Sequence, residues 1–360
     1  MKENNFAVLM AGGVGSRFWP VSTAAKPKQF RDLMGKGETL IQTTFKRLTH
    51  LVPAKNIYVL TNANYEHLVK EQLPHLGESQ IVLEPVMRNT APAVLLASLK
   101  IKKKNRDAVM IMAPSDHWIE DEQAFLDDIT SAFEVARAQD KILTLGIKPT
   151  FPNTGYGYIK FDPSAPGRVK PVELFTEKPS YKVAKDFLKS GNFLWNAGIF
   201  VWNVDYIIRS FQKNLEQTFK LFSKGEAVFN TSEEKNFIKD NYPAAENISI
   251  DYAILEKEQG TIDVIPASFD WNDLGTWGSL YDESVKDQEN NVVLNARLYA
   301  ENSTGNIVSS DKDKVVVIEG LKDYVIVDEN EILFIVPREK EQEIKALRER
   351  VQKKFGDNLG

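Results

Sequence analysis

The chain has 360 residues, with 45 Lys and Arg against 50 Asp and Glu, giving a formal net charge of −5. That length passes the roughly 250–300 residues at which one core stops growing, so a large domain with an appendage is expected. Hydrophobic residues at 42% exclude a disordered chain, the acidic balance supplies no basic stripe for nucleic acid, and the absence of cysteine excludes disulfides, thiol nucleophiles and Cys-ligated metals.

The opening MKENNFAVLM runs directly into a strand over Phe6–Met10 and lacks the long apolar region of a signal peptide. A helix from about Thr39 to Leu51 is predicted next, then a strand at Ile57–Leu60, a helix from Tyr65 to Leu73 stopped by Pro74, and a strand at Ile81–Leu83. A helix starting near Thr90, a strand at Ala108–Met112, a helix over Glu122–Gln139 and a strand at Ile142–Gly146 follow. This alternation predicts an α/β fold: a Rossmann-like mixed, mostly parallel sheet flanked by helices. After Pro149, aromatic and glycine-rich segments are interleaved with helices near Tyr181–Ser190 and Val204–Phe222, and a β-like run spans Thr261–Phe269. A polar stretch at 282–291 predicts a boundary, giving one domain over 1–285 and a small β unit over 286–360. Short strands are predicted in that unit at 292–294, 306–308, 315–318, 324–327 and 332–336. Its closing helix carries Ile344, Leu347, Val351 and Phe355 on one face, for docking on its own domain or for a dimer contact. No apolar run approaches the roughly 18 residues of a membrane span, so a cytoplasmic protein without membrane or nucleic-acid partners is expected.

The richest segment is Leu9-Met10-Ala11-Gly12-Gly13-Val14-Gly15-Ser16-Arg17-Phe18-Trp19-Pro20. Glycines leaving a first strand let backbone N–H groups approach phosphate closely. The dinucleotide fingerprint would need glycine where Phe18 stands, and a Walker loop would need Gly-Lys-Ser/Thr where Ser16-Arg17-Phe18 stands. Arg17 and Lys28, in Lys26-Pro27-Lys28-Gln29-Phe30, add two cations beside one glycine turn, which suits a triphosphate. Asp116 follows a strand and Asp273 a Trp-rich turn. Two carboxylates so placed can hold one Mg²⁺, although Asp116 could equally cap the next helix. His117 beside Asp116 is expected to be structural. Glu177-Lys178-Pro179 reads as a charged strand end, and Asn89 or Thr90 as a helix cap with Pro92 in the first turn. Tyr156, Trp195 and Trp202 can offer apolar faces to a sugar ring, or can simply be core.

The string A-G-G-x-G-x-R-F-x-P followed by P-K-Q-F resembles the sugar-phosphate nucleotidyltransferases, and within them the bacterial mannose-1-phosphate guanylyltransferases (GDP-mannose pyrophosphorylases). Further segments fit in order: Glu84-Pro85 with Asn89-Thr90-Ala91-Pro92-Ala93, Ala113–His117, Asn153–Ile159, Phe175–Pro179, Leu194–Phe200, Ser249–Ala253 and Trp271–Gly275. The resemblance covers about residues 5–280. It implies nucleotide binding by Ala11, Gly12, Gly13, Gly15, Arg17, Lys28, Glu84, Asn89, Thr90, Ala91 and Asp116, with Arg17 and Lys28 catalytic. Sugar-phosphate binding would fall to Tyr156, Gly157, Glu177, Lys178, Asn196 and Asp251, and Mg²⁺ binding to Asp116 and Asp273. The substrates implied are GTP and mannose 1-phosphate, the assembly a homodimer, and residues 286–360 a short left-handed β-helix. With so little chain after 285, a single activity without the isomerase domain of longer relatives is expected.

The reaction expected is in-line attack of a sugar 1-phosphate oxygen on the α-phosphorus of GTP, needing no protein nucleophile and no covalent intermediate. Another sugar 1-phosphate such as a heptose, or another nucleotide, is the nearest rival. A nicotinamide-dependent oxidoreductase is disfavoured by Phe18. A catalytically silent relative is disfavoured because Arg17, Lys28, Asp116, Lys178 and Asp273 are all present.

Overall fold

Continuous apolar runs dictate how the first strands are used. In the computed structural model, which describes residues 2–258, 260–356 and 359, strand β1 (Asn5–Met10) is buried along nearly its whole length. The chain then runs through α1 (Leu40–Thr49), β2 (Ile57–Asn62), α2 (Glu66–Gln72), β3 (Ile81–Glu84), α3 (Thr90–Lys104), β4 (Val109–Pro114), α4 (Glu122–Ala138) and β5 (Ile142–Ile147). Next come β6 (Tyr158–Phe161), β7 (Lys170–Thr176), α5 (Tyr181–Ser190), β8 (Phe193–Asn203), α6 (Val204–Asn214), α7 (Glu216–Ser223), α8 (Glu234–Asn241) and β9 (Ile262–Pro266). The nine strands form one sheet in the order β3-β2-β1-β4-β8-β5-β9-β7-β6. Strands β1 to β4 pair in parallel, whereas β8 runs antiparallel to both β4 and β5. The expected mixed, mostly parallel sheet is therefore present.

Phe6 and Val8 of β1, Tyr58 and Leu60 of β2, and Met110 and Met112 of β4 share a core with α3 and α6. The intervening Ala7, Leu9, Val59 and Ile111 are equally buried, so these strands are covered on both faces, as parallel strands require. Because β1 lies between β2 and β4, the chain leaves it where the strand order reverses, the usual ligand position in open α/β sheets.

By contact the chain forms two compact units. One comprises Met1–Ala11, Phe45–Pro114 and Ile119–Trp271, and contains the nine-stranded sheet. The other comprises Gly12–Thr44, Ser115–Trp118 and Asn272–Gly360. The second unit contains α9 (Trp277–Glu283), β10 (Val292–Glu301), β11 (Ile307–Glu319), β12 (Tyr324–Glu329), β13 (Ile332–Pro337) and α10 (Ile344–Phe355). β10 pairs in parallel with β11, and β11 with β12, and partners lie 15 to 18 residues apart (292 with 307, 301 with 319, 307 with 325). Consecutive parallel strands at so short a step wind as solenoid coils, because a hairpin would be antiparallel. Inside the coils Asn306 donates from both its backbone N–H and its side-chain amide to Asn291 Oδ1 at 3.0 Å, and accepts from the Tyr324 N–H at 2.9 Å. Ile344 is buried and Leu347 and Val351 pack on this unit's own core, whereas Phe355 is exposed.

Two sequence expectations change. The helix expected over 204–222 breaks at Leu215, whose φ of −139° is not helical, into α6 and α7. The strands expected at 306–308 and 315–318 are one strand, β11, whose ladder with β10 pairs as far as Ser309 and resumes at Lys314 after a register shift.

Candidate active site

The glycine-rich loop is held from behind. Gln29 Nε2 donates to the Gly13 carbonyl at 3.3 Å and the Ser22 hydroxyl donates to the Val14 carbonyl. Those two bonds turn the carbonyls inward. Among the described residues the N–H groups of Gly12, Gly13, Val14 and Gly15 donate to no protein acceptor, which leaves a row of donors of the kind that cradles phosphate. Gly15 has φ +66°, and a Cβ there would stand 2.8 Å from Lys28 Cγ, so only glycine fits over the lysine stem. Arg17 follows in a single helical turn, exposed and without an ion pair among the described residues.

An isolated antiparallel bridge brings the acids to the lysine. Trp118 and Asn272 exchange backbone hydrogen bonds of 2.8 and 3.0 Å, which aligns residues 115–118 with 272–275. Lys28 Nζ then pairs with Asp116 Oδ2 at 3.0 Å and donates to the carbonyls of Asp273 at 2.7 Å and Leu274 at 3.1 Å, using all three of its protons. Leu274 has φ +43°, rare for a bulky residue, and is held there by its buried side chain and by the Asn272 carboxamide, which accepts from its N–H. The capping alternative for Asp116 does not hold, because Asp121 caps α4. Asp116 thus meets the ammonium through its carboxylate and Asp273 through its backbone carbonyl, and the described residues include no group of three or more acidic or histidine side chains that could hold a metal ion. That donor set fits Mg²⁺, which takes one or two carboxylates and leaves its other positions to water and phosphate.

The sheet unit carries two further clusters. In the first, Asn196 on β8 donates from its backbone to the Gly157 carbonyl at 2.8 Å and from its amide to Asp251 Oδ1 at 3.3 Å. Its Oδ1 accepts from the Gly198 N–H at 3.0 Å and the Thr144 hydroxyl at 3.3 Å. Glu177, at the end of β7, pairs with Lys178 Nζ at 3.1 Å, and its Oε2 lies 2.6 Å from where a Gly157 Cβ would be. Lys178 is 61% exposed and has φ +45°. Burial, and secondarily the Glu177 charge, push the Asp251 carboxyl up to about 6. Tyr156 packs edge-on against Trp195 and Trp271, whereas Trp202 is fully buried in the core and offers no face to a ligand.

In the second cluster Asn89 precedes α3 with φ +55° and makes no capping bond; its amide donates to Asn247 Oδ1 at 2.7 Å instead. Thr90 Oγ1 accepts from the Ile250 N–H at 2.8 Å, so neither residue is the cap that the sequence suggested. Glu84 accepts from the Tyr242 hydroxyl, and burial pushes its carboxyl up to about 7. Ala11 is tied to β2: its N–H donates to the Leu60 carbonyl at 2.8 Å and its carbonyl accepts from the Thr61 hydroxyl at 2.7 Å. Sequence reasoning missed Gln29, Ser22, Tyr242 and Asn247; only Gln29 lay inside a noticed string.

Free backbone donors beside a fixed lysine in one unit, and a carboxylate–amide cluster on the open α/β sheet of the other, are features of enzymes that handle phosphate esters. The chain belongs to the nucleotidyl transferase family, whose profile matches residues 6–290, and it is a nucleotidyltransferase. The resemblance read from the motifs is borne out. The mannose-1-phosphate guanylyltransferase RfbM of Salmonella typhimurium is 36% identical over 94% of this chain and 71% of its own length. The mannose-1-phosphate guanylyltransferase of Salmonella montevideo is 35% identical over 96% of this chain and 73% of its own. A crystal structure from Thermus thermophilus, described as a mannose-1-phosphate geranyltransferase, superposes with a TM-score of 0.86 at 29% identity, covering 97% of this chain and 99% of that one. No helix among the described residues is long and apolar enough to cross a membrane.

Proposed function

We propose that the protein transfers the GMP moiety of GTP to mannose 1-phosphate, giving GDP-mannose and pyrophosphate. The Lys28–Asp116–Asp273 cluster beside a loop of free N–H donors supports this reading, because its chemistry suits a polyphosphate and a hard cation. The choice of GTP and mannose 1-phosphate is supported by the relatives at 35–36% identity that bear that name.

A phosphate oxygen of mannose 1-phosphate forms a bond to the α-phosphorus of GTP as the bond to the bridging α–β oxygen breaks. The electron pair leaves with pyrophosphate. A phosphate monoester is ionised near pH 7, so no protein base has to remove a proton. The protein's work is positioning and charge neutralisation. Gly12–Gly15 N–H groups and Arg17 hold triphosphate oxygens, and Lys28 fixes the Asp116 carboxylate and the Asp273 backbone. Lys178 holds the sugar phosphate, while Glu177, Asp251 and Asn196 accept from and donate to sugar hydroxyls. When bound, Mg²⁺ held by Asp116 and Asp273 would neutralise phosphate charge.

Pyrophosphate release measured across four nucleoside triphosphates and a panel of sugar 1-phosphates, with and without Mg²⁺, tests this. GTP with mannose 1-phosphate should give the highest kcat/KM, abolished by chelation and restored by Mg²⁺. A higher kcat/KM for another pair, or no release from any, would overturn the assignment.

A further inference from the structure

The turn between β3 and α3 is fastened by one other stretch of chain. The Tyr242 hydroxyl donates to Glu84, and Arg88 Nη2 donates to the Pro243 carbonyl. Asn89 Nδ2 donates to Asn247 Oδ1 at 2.7 Å, the Ala91 N–H donates to the Ile248 carbonyl at 3.1 Å, and the Ile250 N–H donates to Thr90 Oγ1 at 2.8 Å. Glu84, Asn89, Thr90 and Ala91 are the residues of this turn assigned to the nucleotide, and each has its own bond to residues 242–250. The next residue, Asp251, holds the Asn196 amide of the sugar cluster. Ten consecutive residues therefore touch both substrate clusters of the sheet unit.

The stretch has its own anchor. The Tyr242 ring is buried and stacks on Phe222 with centroids 5.5 Å apart, so its hydroxyl is delivered to Glu84 from a fixed ring. Asn89 sits at φ +55° and ψ −165°, outside the left-handed helical region that asparagine tolerates, a conformation that persists only where surrounding bonds hold it. The amide contact to Asn247 holds it there.

We propose that residues 242–251 are a positioning strap for the base-contacting turn, with Tyr242 and Asn247 as positioning residues for GTP. This rests on the guanylyltransferase reading given above. Neither residue has to touch the nucleotide: Tyr242 fixes the Glu84 carboxyl and Asn247 fixes the Asn89 backbone, so both act on how well the turn is preformed before GTP arrives.

Steady-state kinetics on the full chain test it. Loss of one neutral hydrogen bond corresponds to a factor of about two to twelve, so Asn247→Ala and Tyr242→Phe should each raise the KM for GTP about fivefold. Both kcat and the KM for mannose 1-phosphate should stay within about twofold. Asn247→Asp retains an acceptor oxygen for Asn89 and should restore the GTP KM to within about twofold of the parent. Asn247 is exposed, so its variants read the contact even if Tyr242→Phe folds poorly. An unchanged GTP KM in Asn247→Ala, a parallel rise for both substrates, or an Asn247→Asp variant no better than alanine would overturn the strap while leaving the reaction intact. A parent protein inactive on GTP and mannose 1-phosphate would overturn both readings together.

Discussion

Lys28 and Arg17 carry the same charge in opposite circumstances. Lys28 is 8% exposed with every proton bonded, whereas Arg17 is exposed and without an ion pair among the described residues. Arg17→Ala should therefore lower turnover on the order of 10²–10³-fold, as loss of one transition-state donor does, and leave the melting temperature unchanged. Lys28→Ala should lower turnover and also cost about 3 kcal/mol of stability, because an aspartate and two carbonyls lose their partner. Paired measurements of kcat and urea unfolding separate the two, and equal stability of both variants would refute the buried role of Lys28. Glu84 makes a different kind of statement. Burial raises its carboxyl from 4.5 to about 7, so the fold favours the protonated form relative to the unfolded chain. That contribution is complete below about pH 4.5 and is lost as pH rises through 7. Asp251, raised from 3.8 to about 6, adds a slope of the same sign at lower pH. Glu84→Gln keeps an acceptor for Tyr242 without a charge. It should differ little from the parent at pH 4 and be more stable by on the order of 2–3 kcal/mol at pH 8. Unfolding curves at both pH values check this, and a Gln variant that is less stable at pH 8 would show Glu84 to be ionised without penalty.

At the scale of elements, the glycines of the loop divide by what lies beneath them. A Cβ at Gly12 meets nothing within 4 Å, whereas one at Gly15 runs into the Lys28 stem and would also have to adopt φ +66°. Gly12→Ala should bind GTP nearly as the parent does. Gly15→Ala should lose affinity about tenfold or more and melt lower, because the side chain that organises Asp116 and Asp273 is displaced. Calorimetric titration with GTP checks both, and equal affinities would mean that Lys28 can move without consequence. The glycine spacing was legible from the chain alone, as were the alternating elements β1 to β5, whose burial on both faces leaves continuous apolar runs. The constrained member of the glycine set was not, since that depends on a lysine stem packed by tertiary structure. Strand β11 was read as two because Ser309–Lys314 are polar; in the structure it runs unbroken from Ile307 to Glu319 while its ladder with β10 is interrupted between Ser309 and Lys314. Residues 242–251 carry no periodicity, and three of their bonds to the turn come from backbone groups, which do not depend on residue type. No pattern of residue types could announce them.

For the molecule as a whole, chain order and compactness disagree. Sequence order suggests a catalytic piece over 1–285 and a separable β unit after it. The core of the second unit instead joins Phe18, Trp19, Val21 and Leu33 to Val292, Ile307, Val325, Phe334 and Ile344. Trp19 packs edge-on against Phe334 at 5.4 Å and donates from Nε1 to the Leu359 carbonyl at 2.7 Å, while Arg31 pairs with Glu329 at 2.8 Å. The coils therefore complete the core on which Arg17 and Lys28 are mounted. Each large side chain withdrawn from such a core costs about 1.5–3 kcal/mol, and removal of residues 286–360 uncovers several at once, against a total stability of about 5–15 kcal/mol. A chain ending at residue 285 keeps every residue assigned to substrates or metal, yet it should fail to bind GTP in a calorimetric titration. The milder Phe334→Ala in the full chain should cost about 3–5 kcal/mol and raise the KM for GTP, although it lies 315 residues from Trp19 (334 − 19) and in no assigned site. Parental GTP affinity in the shortened chain would show that the loop and its cations hold their shape unaided. Weaker GTP binding in both proteins would instead make the coils part of the nucleotide site, because they hold the loop assigned to the phosphates.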